Sequence, residues 1–378
     1  MPVFHLDLRQ FMKVMREPFR IAVIGVGRIG FFHARHVQEL AKERGDCVLA
    51  AVVDGYGDLA ERVAAELQVG QEAAIGVFSD VEELLAADAV HGAFIASRTG
   101  NHYRNAKTLV DGGLRVLMEK PLTHSLETAR EFTAYLQGDD FRRTALMQAF
   151  MRRFDAPLLY AKELLDQGAI GAPFKIVSVL EDPLPPPQGY NSSGLLSDMA
   201  VHNIDEILWL SGQLPERVAG FGSLLYNQRI TDVKEDFDDA MLQMYFAGSL
   251  IGQVTVSRNH VAGYRNETWI YGPEGVVHVG AFGAEPLLIE VEAIGRSGMI
   301  DRRDFALRDY GADVPVFIIR FGPAYKAELA YYIERCLSGA PFNVDHGDGL
   351  RALEVAMVGS GAVQGREEGK MVDFFKCD

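Results

Sequence analysis

This 378-residue chain is short of cysteine, of positive charge and of long apolar runs, and each shortage excludes something. Its three cysteines, Cys47, Cys336 and Cys377, are odd in number and widely scattered. They make no disulfide framework and no C-x-x-C metal knuckle, which fits a reducing compartment, and a cytoplasmic location is expected. Against 52 acidic residues stand only 37 lysines and arginines, a formal charge of −15. Nucleic acid and anionic membrane both need a basic face, so neither is expected as a partner. No apolar run approaches the length that spans a bilayer. The opening segment MPVFHLDLRQFMKVMREPF breaks its apolar residues with charges every few positions, unlike the apolar region of a signal peptide. Residues 1–18 are read as an appended arm, with Met12 and Met15 inside it as candidate translation starts.

What is present is an ordinary globular composition, 48% apolar, in a chain long enough for two domains. The most informative stretch is IAVIGVGRIG, Ile21 to Gly30: an apolar run collapses into G-x-G-x-x-G and a helix-competent sequence follows. This pattern reads as a strand, a tight turn and a helix whose N-terminal amides face a pyrophosphate. Gly25 permits the turn, Gly27 admits the phosphates and Gly30 lets helix and strand pack, with Arg28 and Ile29 between them. Asp54 closes a second apolar run, VLAAVVD, where an acid accepts hydrogen bonds from the adenosine ribose. Its charge disfavours a 2′-phosphate, and no arginine follows it directly in Gly55-Tyr56, so NAD is expected over NADP.

From Phe19 to about Phe150 strand-like runs (IAVIG, VLAAVVD, GAFIAS, RVLME, TALMQAF) alternate with helical periodicity, which implies a doubly wound parallel Rossmann sheet over 19–150. Ligands bind beyond the carboxyl ends of such strands, which brings Ser97, His102 and Glu119 near the dinucleotide, with packing at a helix N-terminus as the alternative for His102. After Phe150 the pattern changes. Helices at about Ala156–Gln167, Leu196–Leu210, Tyr325–Leu337 and Gly347–Gly365 frame period-two runs joined by the short turns AGS and PEG. Residues 151–378 are therefore expected to form an α+β unit with a large, mostly antiparallel sheet. With few helices to cover it, one sheet face is expected to become an oligomer interface.

Two constellations carry chemistry. In Glu119-Lys120-Pro121 the proline ends the strand and turns Lys120 out at the carboxyl edge, where an ammonium can bond a substrate hydroxyl; a lysine at a surface turn is the plainer reading. In DMAVHNID, Asp198 and His202 are four apart and share a helix face. A neutral imidazole accepts the proton of a secondary alcohol, and a carboxylate one turn back orients it. A helix-surface charge pair, or a metal site of Asp198, His202 and Asp205, are the alternatives; no third strong ligand lies at typical spacing, so no metal is expected. Of Arg152 and Arg153, one is expected in the cleft and the other in solvent. Tyr264, read as lying on a turn, and Tyr190, at the end of a proline-rich loop, are substrate contacts or loop packing.

These marks together, GVGRIG, EKP at Glu119–Pro121, MRRFD at Met151–Asp155 and DMAVHNID at Asp198–Asp205, resemble the glucose–fructose oxidoreductase/inositol dehydrogenase/rhizopine catabolism (Gfo/Idh/MocA) family across nearly the whole chain from Phe19. Within it, DPLPPPQGY followed by SGLLSDMAVHNID, and the segments SRNHVAGYRNE and AYKAEL, are similar to inositol 2-dehydrogenases. The resemblance implies NAD-dependent oxidation of a ring hydroxyl, with Lys120, Asp198 and His202 as catalytic trio, His202 as acid/base, Arg152 and Tyr264 at the polyol, and a homotetramer. Two departures bear on the substrate. Leu180-Glu181-Asp182 stands where members of this subgroup carry a basic residue or an imidazole, leaving Asp182 at the polyol, and Asn203-Ile204-Asp205 replaces an acidic-aromatic-acidic run. A pyranose dehydrogenase and a non-catalytic NAD- or sugar-binding regulator remain alternatives. Regulators of this kind tend to lose the lysine or the histidine, and both are present here.

Overall fold

The computed structural model describes residues 17–183, 193–224, 236–283, 287–309, 314–364 and 372–373. Residues 1–16 of the expected arm, and Tyr190, lie outside the described residues.

The first half builds β1 (Phe19–Ile24), α1 (Arg28–Arg44), β2 (Cys47–Val53), α2 (Leu59–Gln68), β3 (Gly76–Phe78), α3 (Val81–Ala86), β4 (Gly92–Ile95), α4 (His102–Asp111), β5 (Arg115–Met118), α5 (Leu126–Leu136) and β6 (Leu146–Gln148). The six strands pair in parallel in the order β3-β2-β1-β4-β5-β6, the Rossmann order. Because strand side chains alternate, Ile21 and Val23 enter one core with Ala34 and Val37 of α1, while Ala22 and Ile24 enter another with Leu109 of α4 and Phe132 of α5. Both sheet faces are covered, which is why these strands read as continuous apolar runs.

The second half builds α6 (Ala156–Asp166), β7 (Lys175–Glu181), α7 (Val201–Ser211), β8 (Pro215–Ser223), β9 (Asp239–Phe246), β10 (Ile251–Ser257), β11 (Tyr264–Gly272), β12 (Gly275–Gly283), β13 (Leu288–Gly295), β14 (Gly298–Ala306), α8 (Val316–Ser338), α9 (His346–Val363) and β15 (Val372–Asp373). Among the described residues its strands form a nine-stranded sheet, β14-β13-β12-β11-β7-β10-β9-β8-β15, antiparallel except where β10 runs parallel to β7. The AGS and PEG turns join β9 to β10 and β11 to β12 as the pattern implies. Tyr264 is not on a turn: it is the first residue of β11, paired across to Gly283.

The expected boundary at residue 150 follows chain order, but packing crosses it. Leu329, Tyr332 and Ile333 of α8 join the core beneath the first sheet, and Leu353 of α9 joins the core on its other face. The Tyr332 hydroxyl donates to the main-chain oxygen of Arg115 at 2.7 Å. Arg115 opens β5, so these returns lay α8 and α9 against the two faces of the first sheet, with Tyr332 at its amino edge.

Candidate active site

The glycine loop has the geometry a pyrophosphate needs. Gly25 has φ +83°, and a Cβ there would stand 2.5 Å from Ser97 Cα. A Cβ on Gly30 would meet the Gly25 carbonyl oxygen at 1.9 Å. Gly27 caps α1 and has nothing within 4 Å of an added Cβ, so open space lies where the phosphates would approach the first helical amides. Asp54 stands beside the loop, accepting from the Val26 N–H at 3.0 Å and the Tyr56 N–H at 2.9 Å. Arg28 lies over the Phe317 ring at 5.3 Å, and Ile29 packs among Met151, Ile318 and Tyr325. The first turn of α1 is thereby tied to α8.

Glu119 and Lys120 follow β5, and the peptide before Pro121 is cis. Lys120 Nζ donates to the main-chain oxygen of Asp198 at 2.7 Å and to its Oδ1 at 3.1 Å. Asp198 Oδ2 accepts from Arg258 at 2.9 Å. Asp198 belongs to a π-helical turn, Leu196–Ala200, that leads into α7, and His202 is the second residue of α7. The four-residue spacing therefore spans a π turn rather than a regular α turn, and the Asp198 carboxylate lies against two cations. Its charge still reaches the His202 ring.

His202 is buried, and burial, with the charges of Lys120 and Arg152, holds its imidazole well below the usual histidine range against the opposing pull of Asp198. The ring is therefore neutral near pH 7, the state that accepts a proton. Beneath it, Arg152 donates to Glu206 at 2.6 Å and lies 3.4 Å from Ser178 Oγ and 3.5 Å from Asn203 Oδ1. Thr268 and Ser178 also donate to Glu206. This buried network pins α7 to β7 and β11.

The other expected residues divide. Glu119 is buried; burial pushes its carboxyl up, but the bond from His33 Nε2 at 3.0 Å, with the charges of His33, Lys120 and His102, outweighs this and holds it low. The His102 ring bridges two main-chain oxygens, Pro121 at 2.9 Å and Ser97 at 3.0 Å, so it ties together the ends of β4 and β5. Arg153 does not face solvent: it is largely buried, paired with Asp205 at 2.6 Å and Asp348 at 3.1 Å. That pairing takes Asp205 away from Asp198 and His202. Burial pushes the Asp205 carboxyl up to about 6 even so. Tyr264 is buried, its hydroxyl raised above the ordinary range by burial, within the fields of Arg152, Asp182, Arg320 and Asp155. The Asp182 N–H donates to Ser257 at 2.9 Å, and neighbouring Glu181 meets Arg265 at 3.3 Å and His260 at 3.5 Å.

Residues 19–142 match the model of an oxidoreductase family with an NAD-binding Rossmann fold, and residues 158–278 match the GFO/IDH/MocA C-terminal domain. The chain belongs to the GFO/IDH/MocA family. Among its relatives, myo-inositol 2-dehydrogenase of Thermotoga maritima is 28% identical over 93% of this chain and 98% of its own. The scyllo-inositol 2-dehydrogenase (NAD(+)) of Bacillus subtilis is 28% identical over 91% of this chain and 93% of its own. A solved scyllo-inositol dehydrogenase from Lactobacillus casei, with bound NAD(H) and scyllo-inositol, has the same fold, with TM-score 0.77 and 23% identity over 95% of this chain and 99% of that one.

Beside the glycine loop, Glu119–Pro121 and the Asp198–His202 spacing, the sequence hides several partners. Glu206 and Ser178 carry no motif and only burial marks them, while Arg258 lies in the SRNHVAGYRNE segment with nothing there to show that it meets Asp198. Arg98 is another. It follows β4, stands 4.6 Å over the Tyr56 ring and donates to the Tyr56 hydroxyl at 2.8 Å beside Asp54.

Proposed function

We propose that this chain oxidises a ring secondary hydroxyl of an inositol, myo- or scyllo-, to a ketone, working in the cytoplasm as a homotetramer. The observation that carries the reading is the meeting of Lys120 with Asp198 one turn before a buried, neutral His202. NAD, held there, would supply the hydride acceptor. The glycine loop suits its pyrophosphate, and Asp54 suits the adenosine ribose.

The remaining chemistry belongs to the side chains. Lys120 spends two bonds on Asp198 and has a further N–H for the reacting oxygen, where its charge favours loss of the proton. His202 accepts that proton. Asp198 orients the ammonium and favours the imidazolium as it forms. Arg152, locked to Glu206, supports α7 from below and adds positive charge to the floor. Tyr264 and Asp182 are proposed polyol contacts.

Acids at Glu181 and Asp182, where the subgroup carries a base or imidazole, support a pyranose as the second reading of the substrate. NADH absorbance with a panel of inositols and aldoses separates the two. Turnover of inositols supports the first; turnover of pyranoses alone replaces it with the second. NAD binding without turnover on any polyol points to a regulator.

The tetramer is supported by the outer face of the large sheet. Ile251, Gln253 and Thr255 of β10 face outward beside Tyr245, Gln243 and Met241 of β9. Trp269 stacks on His278 at 3.9 Å on the same face. Light scattering at micromolar concentration tests it, a monomeric mass being the contrary result.

A further inference from the structure

Arg258 follows β10 directly, and its main-chain N–H donates to Asp238 at 2.8 Å. The residue is only 6% exposed. A buried guanidinium is costly unless a charge answers it. The answer here is Asp198 Oδ2 at 2.9 Å, on the carboxylate whose other oxygen receives Lys120. One aspartate is thus held at both oxygens by two cations, Lys120 from the edge of the first sheet and Arg258 from the second.

We propose that Arg258 is a positioning residue: by holding Asp198 Oδ2 it turns Oδ1 toward Lys120 and so aims the ammonium at the hydroxyl being oxidised. This rests on the oxidoreductase reading above. Arginine suits the task, since its planar fork stays charged and keeps its direction where a lysine would swing. Because Arg258 acts through Asp198, its contribution disappears once the Asp198 carboxylate is gone.

The test is a cycle of Arg258→Met, Asp198→Asn and the double variant in the full chain, with Arg258→Lys as the conservative control. Arg258→Met should lower kcat about 10- to 100-fold, with the KM for NAD within about twofold and partial recovery in Arg258→Lys. In the Asp198→Asn background the same change should cost less than about threefold. Additive losses, or wild-type kcat in Arg258→Met, would overturn the proposal. If Arg258→Met does not fold, Arg258→Gln carries the same cycle. If the wild-type chain turns over no polyol or sugar, the oxidoreductase reading fails on its own. The melting temperatures of the cycle then decide: non-additive shifts support the clamp, and additive shifts refute it.

Discussion

Gly30 lies so close beneath Gly25 that a methyl group on Gly30 would stand 1.9 Å from the Gly25 carbonyl oxygen. The contact joins the turn after β1 to the first turn of α1, and no side chain fits it. Gly27, between them, faces open space. The two glycines should therefore fail differently. Gly30→Ala should destabilise the protein by about 1–3 kcal/mol or more, because backbone rather than a flexible side chain must move. Gly27→Ala should melt near wild type yet bind NADH at least about tenfold more weakly, since its methyl occupies the phosphate approach. Thermal melting and NADH fluorescence titration check the pair. Equal NADH affinity in Gly27→Ala would remove the loop from the cofactor site.

As the proposed base, His202 should set the acid limb of activity. The base must be neutral to accept a proton, and burial with Lys120 and Arg152 pushes its pKa down. Oxidation should therefore persist on acidification well past pH 6.5, where an ordinary imidazole would already be charged. A pH profile of kcat/KM reads this directly, and a limb at or above pH 6.5 contradicts it. His202→Ala should lose about 10²- to 10⁴-fold in kcat with NADH affinity nearly unchanged.

His36 should make the fold acid-sensitive. Burial, then the neighbouring His33 and the charges of Lys326, Arg35 and Arg308, lowers its pKa from 6.5 to about 3. Between those values the unfolded chain takes a proton that the native chain refuses. Stability from this group is thus complete above about pH 6.5 and is lost as the pH falls toward 3. At pH 5 the loss is about 2 kcal/mol. Urea unfolding at pH 7 and pH 5 should show His36→Gln with a pH difference smaller than wild type by about that amount.

How much of this was legible in the sequence follows from packing. The Rossmann strands announce themselves because both faces are covered and their residues are uniformly apolar. β3 does not, being three half-exposed residues at the sheet edge, and β14 is almost wholly exposed, so neither shows a period. Lys120, Asp198 and His202 are visible because a proline stop and a helix spacing mark them. Glu206 is not, and for Arg258 the quoted segment SRNHVAGYRNE hides the role, since an arginine at a strand end looks the same whether it meets solvent or Asp198. That one of Arg152 and Arg153 would face solvent fails for the same reason: the partners of Arg153, Asp205 and Asp348, are far away in sequence.

The Arg152–Glu206 pair supplies a test of the site's floor. Both side chains are almost fully buried and meet at 2.6 Å. Glu206→Ala should cost about 3–5 kcal/mol by stranding the guanidinium, whereas Arg152→Met with Glu206→Leu should recover much of that. Urea unfolding of both variants checks it; equal stability of the two would show that the charge is not stranded.

The central claim is hydride removal from a ring carbon with His202 taking the hydroxyl proton, and isotopic labelling tests it most directly. With myo- or scyllo-inositol deuterated at the carbon being oxidised, the account predicts slower turnover and deuterium in the NADH formed. Both signals should vanish together with activity in His202→Ala. NADH that carries no deuterium from the labelled inositol, or labelled NADH formed at wild-type rate by His202→Ala, would contradict it.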